Sequence, residues 1–221
     1  MFGAAAQADI LNVDTAVGSK VNAADAGWTA WVLPAAQSSA STSFAFAPAT
    51  GGTLGATFTR LNGENYTNDT QIGAAAPQAV FSDHIAVAKL GADGVGYDLT
   101  LVGLPVGQTV TFTLYGSYAP GTEYGPGYPG YTDSSRLWKV AANADAGTTF
   151  AAWMTMSGGV MVGSPVTTSF TATGTDVIHV TDSYGYGTLM DGFTVQAAVP
   201  EPATLALLVM GGIGMLVRRK R

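Results

Sequence analysis

The stretch Tyr118–Arg136, YAPGTEYGPGYPGYTDSSR, gathers the densest set of ligand-capable side chains in this 221-residue chain. Tyr118, Tyr124, Tyr128 and Tyr131 could lay aromatic rings against the C–H face of a sugar, while Glu123, Asp133 and Arg136 exchange hydrogen bonds with its hydroxyls. The interspersed Gly and Pro exclude a regular strand, so a loop at the end of a β-structure is expected. A self-packed loop that merely covers a sheet is the competing reading. A second stretch, RLNGENYTND from Arg60 to Asp69, offers Asn62, Glu64, Asn68 and Asp69 as oxygen ligands for Ca²⁺. Its spacing matches no EF-hand-like loop, so a solvated turn is the simpler expectation, and no other cofactor is implied.

Catalytic patterns are weaker. The two histidines are His84, in FSDHIAV, and His179, in VIHVTD. Ser82-Asp83-His84 contains the residue types of a nucleophile relay, but neighbours along a strand point to opposite faces, so adjacency cannot build one. Neither a Gly-x-Ser-x-Gly elbow nor a His-Glu-x-x-His zinc motif occurs. The absence of cysteine removes thiol nucleophiles, disulfides and thiolate metal sites. The expectation is a protein that is not an enzyme, with a carbohydrate-active enzyme as a minor alternative.

The elements that must carry these residues read as strands. Thr53–Arg60, Gly96–Val102, Thr109–Tyr115 and Asp176–Asp182 alternate apolar with polar or Thr side chains, the period-2 pattern of half-buried strands. With 29 Gly and only 11% charged residues, short strands and tight turns are favoured over helix bundles. The fold class expected is all-β: a jelly-roll-like antiparallel β-sandwich plus a single C-terminal hydrophobic helix. A further turn of helix is expected near Ala74–Val87. Leu104-Pro105-x-Gly107 predicts a turn into a strand, and Asp191-Gly192 a turn or bulge before the last one. Alternating Thr109, Thr111 and Thr113 could also suit an ice-binding face, although no regular repeat accompanies them.

Charge narrows the partners. Without the tail beyond Val199 the body keeps 14 acidic residues against five basic ones, about −9. Such a surface repels phosphate backbones, so no nucleic-acid partner is expected. At the N-terminus Ala6-Gln7-Ala8 supplies the small-x-small pattern before a signal-peptidase cut, so residues 1–8 read as the remnant of a secretory signal. At the other end, Ala203–Val217 is 15 residues without a charge. As a helix it spans about 22 Å, short of the ~30 Å hydrocarbon core, which suits a transient membrane passage better than a lasting anchor. Arg218, Arg219, Lys220 and Arg221 behind it would stay cytoplasmic.

Pro200-Glu201-Pro202, then an apolar helix, then a terminal cationic cluster, closely resembles the PEP-CTERM sorting signal of exported bacterial proteins. The resemblance implies an exosortase as processing partner in a Gram-negative host. It also implies passage through the inner membrane and a destination at the cell surface or in the exopolysaccharide of a biofilm matrix. The order ILNVD, GWTAW, TRLNGENY, GLPVGQTVTFTLYGSY and TLMDGFTVQAAV resembles galactose-binding-like or malectin-like β-sandwiches, in which a closing strand returns beside the first. Asp191 stands where that pattern usually has Asn. The organisation expected is a sandwich over residues 9–198 and a sorting signal over 199–221. The function expected is structural or adhesive, with an exopolysaccharide-recognising carbohydrate-binding module as the alternative.

Overall fold

The computed structural model describes residues 9–17, 27–34, 38–46, 52–61, 64–68, 84–88, 96–115, 137–144, 146–152, 155–157, 160–162, 165–182 and 188–197. These residues form strands, and no helix occurs among them. In chain order the strands begin β1 (Asp9–Val17), β2 (Thr29–Leu33), β3 (Ser39–Phe46), β4 (Gly52–Leu61), β5 (Glu64–Asn68) and β6 (His84–Ala88). They continue with β7 (Gly96–Val102), β8 (Thr109–Tyr115), β9 (Leu137–Ala142), β10 (Ala146–Ala152) and β11 (Thr155–Ser157). The last are β12 (Val160–Val162), β13 (Val166–Thr171), β14 (Thr175–Asp182), β15 (Thr188–Met190) and β16 (Gly192–Ala197).

Two sheets make the sandwich: a five-stranded one, ordered β13-β8-β16-β1-β2, and a six-stranded one, ordered β10-β9-β14-β7-β4-β3. A three-stranded β15-β6-β5 sheet and the β11-β12 hairpin accompany them. Alternation along each strand sends one set of side chains inward. Tyr97, Leu99 and Leu101 of β7 are buried, as are Val110, Phe112 and Leu114 of β8, and Phe193, Val195 and Ala197 of β16. Aromatic contacts run within and between the layers. Phe112 stacks on Phe193 with centroids 5.6 Å apart, and Trp31 meets both Phe193 of its own sheet and Phe44 of the other edge-on. Each such side chain, fully buried, contributes about 1.5–3 kcal/mol.

The expected strands appear at 52–61, 96–102, 109–115 and 175–182, within a residue or so of their predicted limits. The first and last strands pair antiparallel, from Asp9↔Ala197 to Asp14↔Gly192, the closure expected of a galactose-binding-like body. The Pro105 turn also forms: Gln108 N–H donates to Pro105 O at 3.1 Å, and Gly107 takes φ +80°, open to glycine at little cost. At the Asp191 bend, Asp191 N–H reaches Tyr115 O, and Thr15 bonds Asp191 O and Met190 O, stitching β1 to the corner.

Two expectations change. Residues 84–87 of the predicted helical turn lie in β6, which pairs with β5 and β15, and the rest of that turn lies outside the described residues. A five-residue apolar run is as compatible with a strand as with helix, and sheet pairing decides. The sandwich is also not wholly antiparallel, because β1 and β2 pair parallel from Val13↔Thr29 to Val17↔Leu33.

Candidate functional site: a half-open pocket on the six-stranded sheet

The outward positions of the six-stranded sheet form rows across it. One row runs Ser39↔Thr59↔Asp98↔His179↔Ala141, and the next runs Leu61↔Gly96↔Thr181↔Lys139. Register alone therefore sets a carboxylate and an imidazole, 81 residues apart in the chain, side by side on β7 and β14. His179 Nδ1 and Asp98 Oδ1 are 2.6 Å apart, a short charge-assisted hydrogen bond. A carboxylate only accepts, so Nδ1–H is the donor, and in the neutral ring Nε2 is left as an acceptor. The side chains keep 37% and 23% of their surface exposed, so both remain reachable by a ligand.

Beside this pair lies a hollow of about 250 Å³, lined by Leu61, Lys139, Ala141, Ala144, His179 and Thr181. In the second row Gly96 lies between Leu61 and Thr181. Glycine is required there. A Cβ at Gly96 would fall 1.9 Å from Val180 O. The floor is aliphatic and the rim carries an imidazole, an ammonium and a hydroxyl. Its volume is below the roughly 300–1,000 Å³ typical of drug-sized ligands, which suits one ring or a small polar group.

The wall formed by Ala144 is held by a part-buried polar knot. Asn143 and Ala144 take φ +48° and +51°, the paired left-handed conformation of a tight hairpin turn between β9 and β10. Asn143 Oδ1 accepts Val177 N–H at 2.8 Å, and its Nδ2 donates to Asp176 Oδ1 at 2.6 Å. Asp176, fully buried, also accepts from Thr173 N–H and Oγ1 and from Gly174 N–H. These bonds brace the turn against β14, the strand that carries His179.

On the inner face, Tyr97 is pushed well above its ordinary pKa of 10.0, first by burial and then by the charge of Asp191. It belongs to the core, whereas its neighbour Asp98 lies on the outer face and bonds His179 of the pocket lining.

The residues singled out from sequence fare differently. Tyr118, Glu123, Tyr124, Tyr128, Tyr131, Asp133 and Arg136 lie outside the described residues, as do Asn62, Asp69 and the tail from Pro200 to Arg221. Glu64 and Asn68 occupy the two ends of β5, so half of the expected turn is strand. His84 opens β6 opposite Asn68. Among the described residues no cluster of three or more His, Asp or Glu side chains could hold a metal ion. No helix among them is long and apolar enough to cross a membrane. Asp98, Asn143 and Asp176 were not recognised from sequence. Asp98 does carry a signal, as the lone charge at an outward position of GYDLTLV, but its partner is fixed only by register.

The described fold is thus an all-β sandwich with a small polar-rimmed pocket on one sheet. Residues 198–221 match the PEP-CTERM protein-sorting motif, which marks the chain as an exported protein sorted by way of the membrane. No curated protein matches the sequence. Among solved structures the chain is similar to the CBM22-1 xylan-binding domain of Paenibacillus barcinonensis Xyn10C, at 10% identity and TM-score 0.38, over 65% of this chain and 86% of that one. It is similar to the CBM22-1–GH10 modules of Clostridium thermocellum endo-1,4-β-D-xylanase 10B, complexed with xylohexaose, at 12% identity and TM-score 0.34, over 64% of this chain and 26% of that one. The CBM22-1–CBM22-2 tandem of Paenibacillus barcinonensis Xyn10C matches at 12% identity and TM-score 0.37, over 76% of this chain and 49% of that one.

Proposed function

We propose that the protein is a non-catalytic saccharide-binding sandwich, delivered by exosortase-dependent sorting to the cell surface or the exopolysaccharide matrix. One observation carries the binding site: the Asp98–His179 hydrogen bond at the rim of an aliphatic-floored pocket. A sugar ring needs both parts, an apolar patch for its C–H face and fixed donors and acceptors for its hydroxyls. Asp98 orients the imidazole, and Nε2, Lys139 and the Thr181 hydroxyl are the groups that meet the ligand. Binding is favoured over hydrolysis because bond cleavage calls for a second acid or a nucleophile at Nε2. Leu61, Ala141 and Ala144, the other described residues around the pocket, supply neither.

The Tyr-rich stretch 118–136 supplies a second contact in this proposal. The chain emerges from it at Leu137, the first residue of β9, and Lys139 of the pocket follows on that same strand. Calorimetric titration with exopolysaccharide fragments tests both parts. Asp98→Ala and His179→Ala are expected to weaken binding about tenfold or more, and Tyr124→Ala with Tyr128→Ala to weaken it further. Unchanged affinity in all of these variants, or no binding by the unaltered protein, would overturn the proposal. Delivery is read separately by intact mass, since the exported form should lack the segment beyond Pro202.

A further inference from the structure

We propose that β3 is a self-association edge, through which two copies of the chain join their six-stranded sheets antiparallel, Thr42 against Thr42.

The sandwich has four sheet edges, and three are blunted. β10 carries a register shift between Ala146 and Thr149, an irregularity that spoils a pairing template. β13 packs against β10 and β9 of the other sheet, and β2 is only five residues long. β3 differs from all three. Its eight residues, SASTSFAF, stay in unbroken register with β4 from Ser39↔Thr59 to Phe46↔Gly52, and contain no charge, proline or glycine.

The direction of its free groups follows from one bond. Arg60 N–H donates to Ser38 O at 2.8 Å, so Ser38 faces β4. In an antiparallel ladder the N–H and C=O of a residue point to the same side, and successive residues alternate. Ser39, Ser41, Ser43 and Ala45 therefore turn their amides and carbonyls away from β4. Among the described residues no backbone hydrogen bond reaches those groups.

A two-fold axis at Thr42 sets Ser41 opposite Ser43 and Ser39 opposite Ala45, so every one of those amides and carbonyls finds a partner. Centring the axis on Ser41 or Ser43 instead leaves one of the four residues of each copy unmatched. On the outer face, Ser41 beside Ser43 prolongs the hydroxyl row that already joins Ser41 to Thr57 at 2.9 Å and Ser39 to Thr59 at 3.5 Å. The body is strongly acidic overall, which opposes contact between charged faces of two copies, whereas this edge is neutral. A second copy is the occupant because the edge is complementary to itself in backbone and outer face alike. Strand pairing of this length buries less than about 1,000 Å², so the association is reversible and depends on concentration.

The chain has no cysteine, which makes a single introduced thiol a clean probe. Opposed residues of a non-hydrogen-bonded pair have Cα atoms about 4.5 Å apart, within disulfide range. Full-length Thr42→Cys in detergent under mild oxidation should form a disulfide dimer at least tenfold faster than Ser169→Cys on the β13 edge. Adding Ser41→Pro, which removes an N–H pointing away from β4, should return Thr42→Cys to the control rate while circular dichroism stays unchanged. Equal rates for Thr42→Cys and Ser169→Cys would overturn the proposal, whatever the saccharide titrations show.

Discussion

The two outer faces of the sandwich are built by the same alternation and carry different chemistry. On the five-stranded sheet, Thr167 bonds Thr113 at 2.9 Å and Ser169 meets Thr111 at 3.2 Å, and those rows continue to Thr194 and Gln196 of β16. These β8 and β13 groups are neutral, and they pair with one another. On the six-stranded sheet the corresponding positions hold Asp98 and His179, and a hollow lies beside them. The difference teaches where the proposed site stands: the register pairs unlike, ionisable groups on one face, beside a hollow, and neutral hydroxyls on the other.

The largest effect is expected where β7 approaches β14 most closely. Gly96→Val drives a Cβ into Val180 O, and about 3 kcal/mol or more of stability should be lost, read as a large fall in Tm. A variant as stable as the parent would show that β14 does not approach Gly96 this closely. Asp98→Ala separates binding from folding. The pair is partly exposed, so its loss should cost no more than about 1 kcal/mol of stability, while saccharide affinity falls tenfold or more.

Tyr97 sharpens the comparison between the two faces of one strand. Its raised pKa means the unfolded chain loses this proton near pH 10.0 while the folded chain keeps it. The unfolded state then binds fewer protons, so stability contributed by Tyr97 is full below pH 10.0 and is lost as pH rises from there towards the folded value. Tyr97→Phe should flatten this alkaline loss in denaturation curves, and an unchanged slope would assign it to other groups. The smallest effect is expected for Thr113→Val on the five-stranded face, within about 0.5 kcal/mol in stability and none in saccharide affinity.

Much of the framework was legible from periodicity. GYDLTLV, TVTFTLY and DVIHVTD each put bulky apolar residues at alternate positions, and each forms the strand that pattern requires. β5 and β6 were not legible for a physical reason. GENYTN is rich in turn formers and HIAVA is a short apolar run, so their pairing with each other overrides weak local preference. The site was half legible. His179 was visible as one of two histidines, but its carboxylate partner depends on a register between strands far apart in sequence, to which no local spacing points. The Thr ladder was visible too, and the hydroxyls of Thr111 and Thr113 bond Ser169 and Thr167 of the neighbouring β13.

The most direct test is calorimetric titration of exopolysaccharide fragments from the producing host into three proteins: the parent, Asp98→Ala and Thr113→Val. The account predicts saturable binding by the parent, equal affinity for Thr113→Val, and a loss of at least tenfold for Asp98→Ala. Equal binding by all three, or none by the parent, would contradict it.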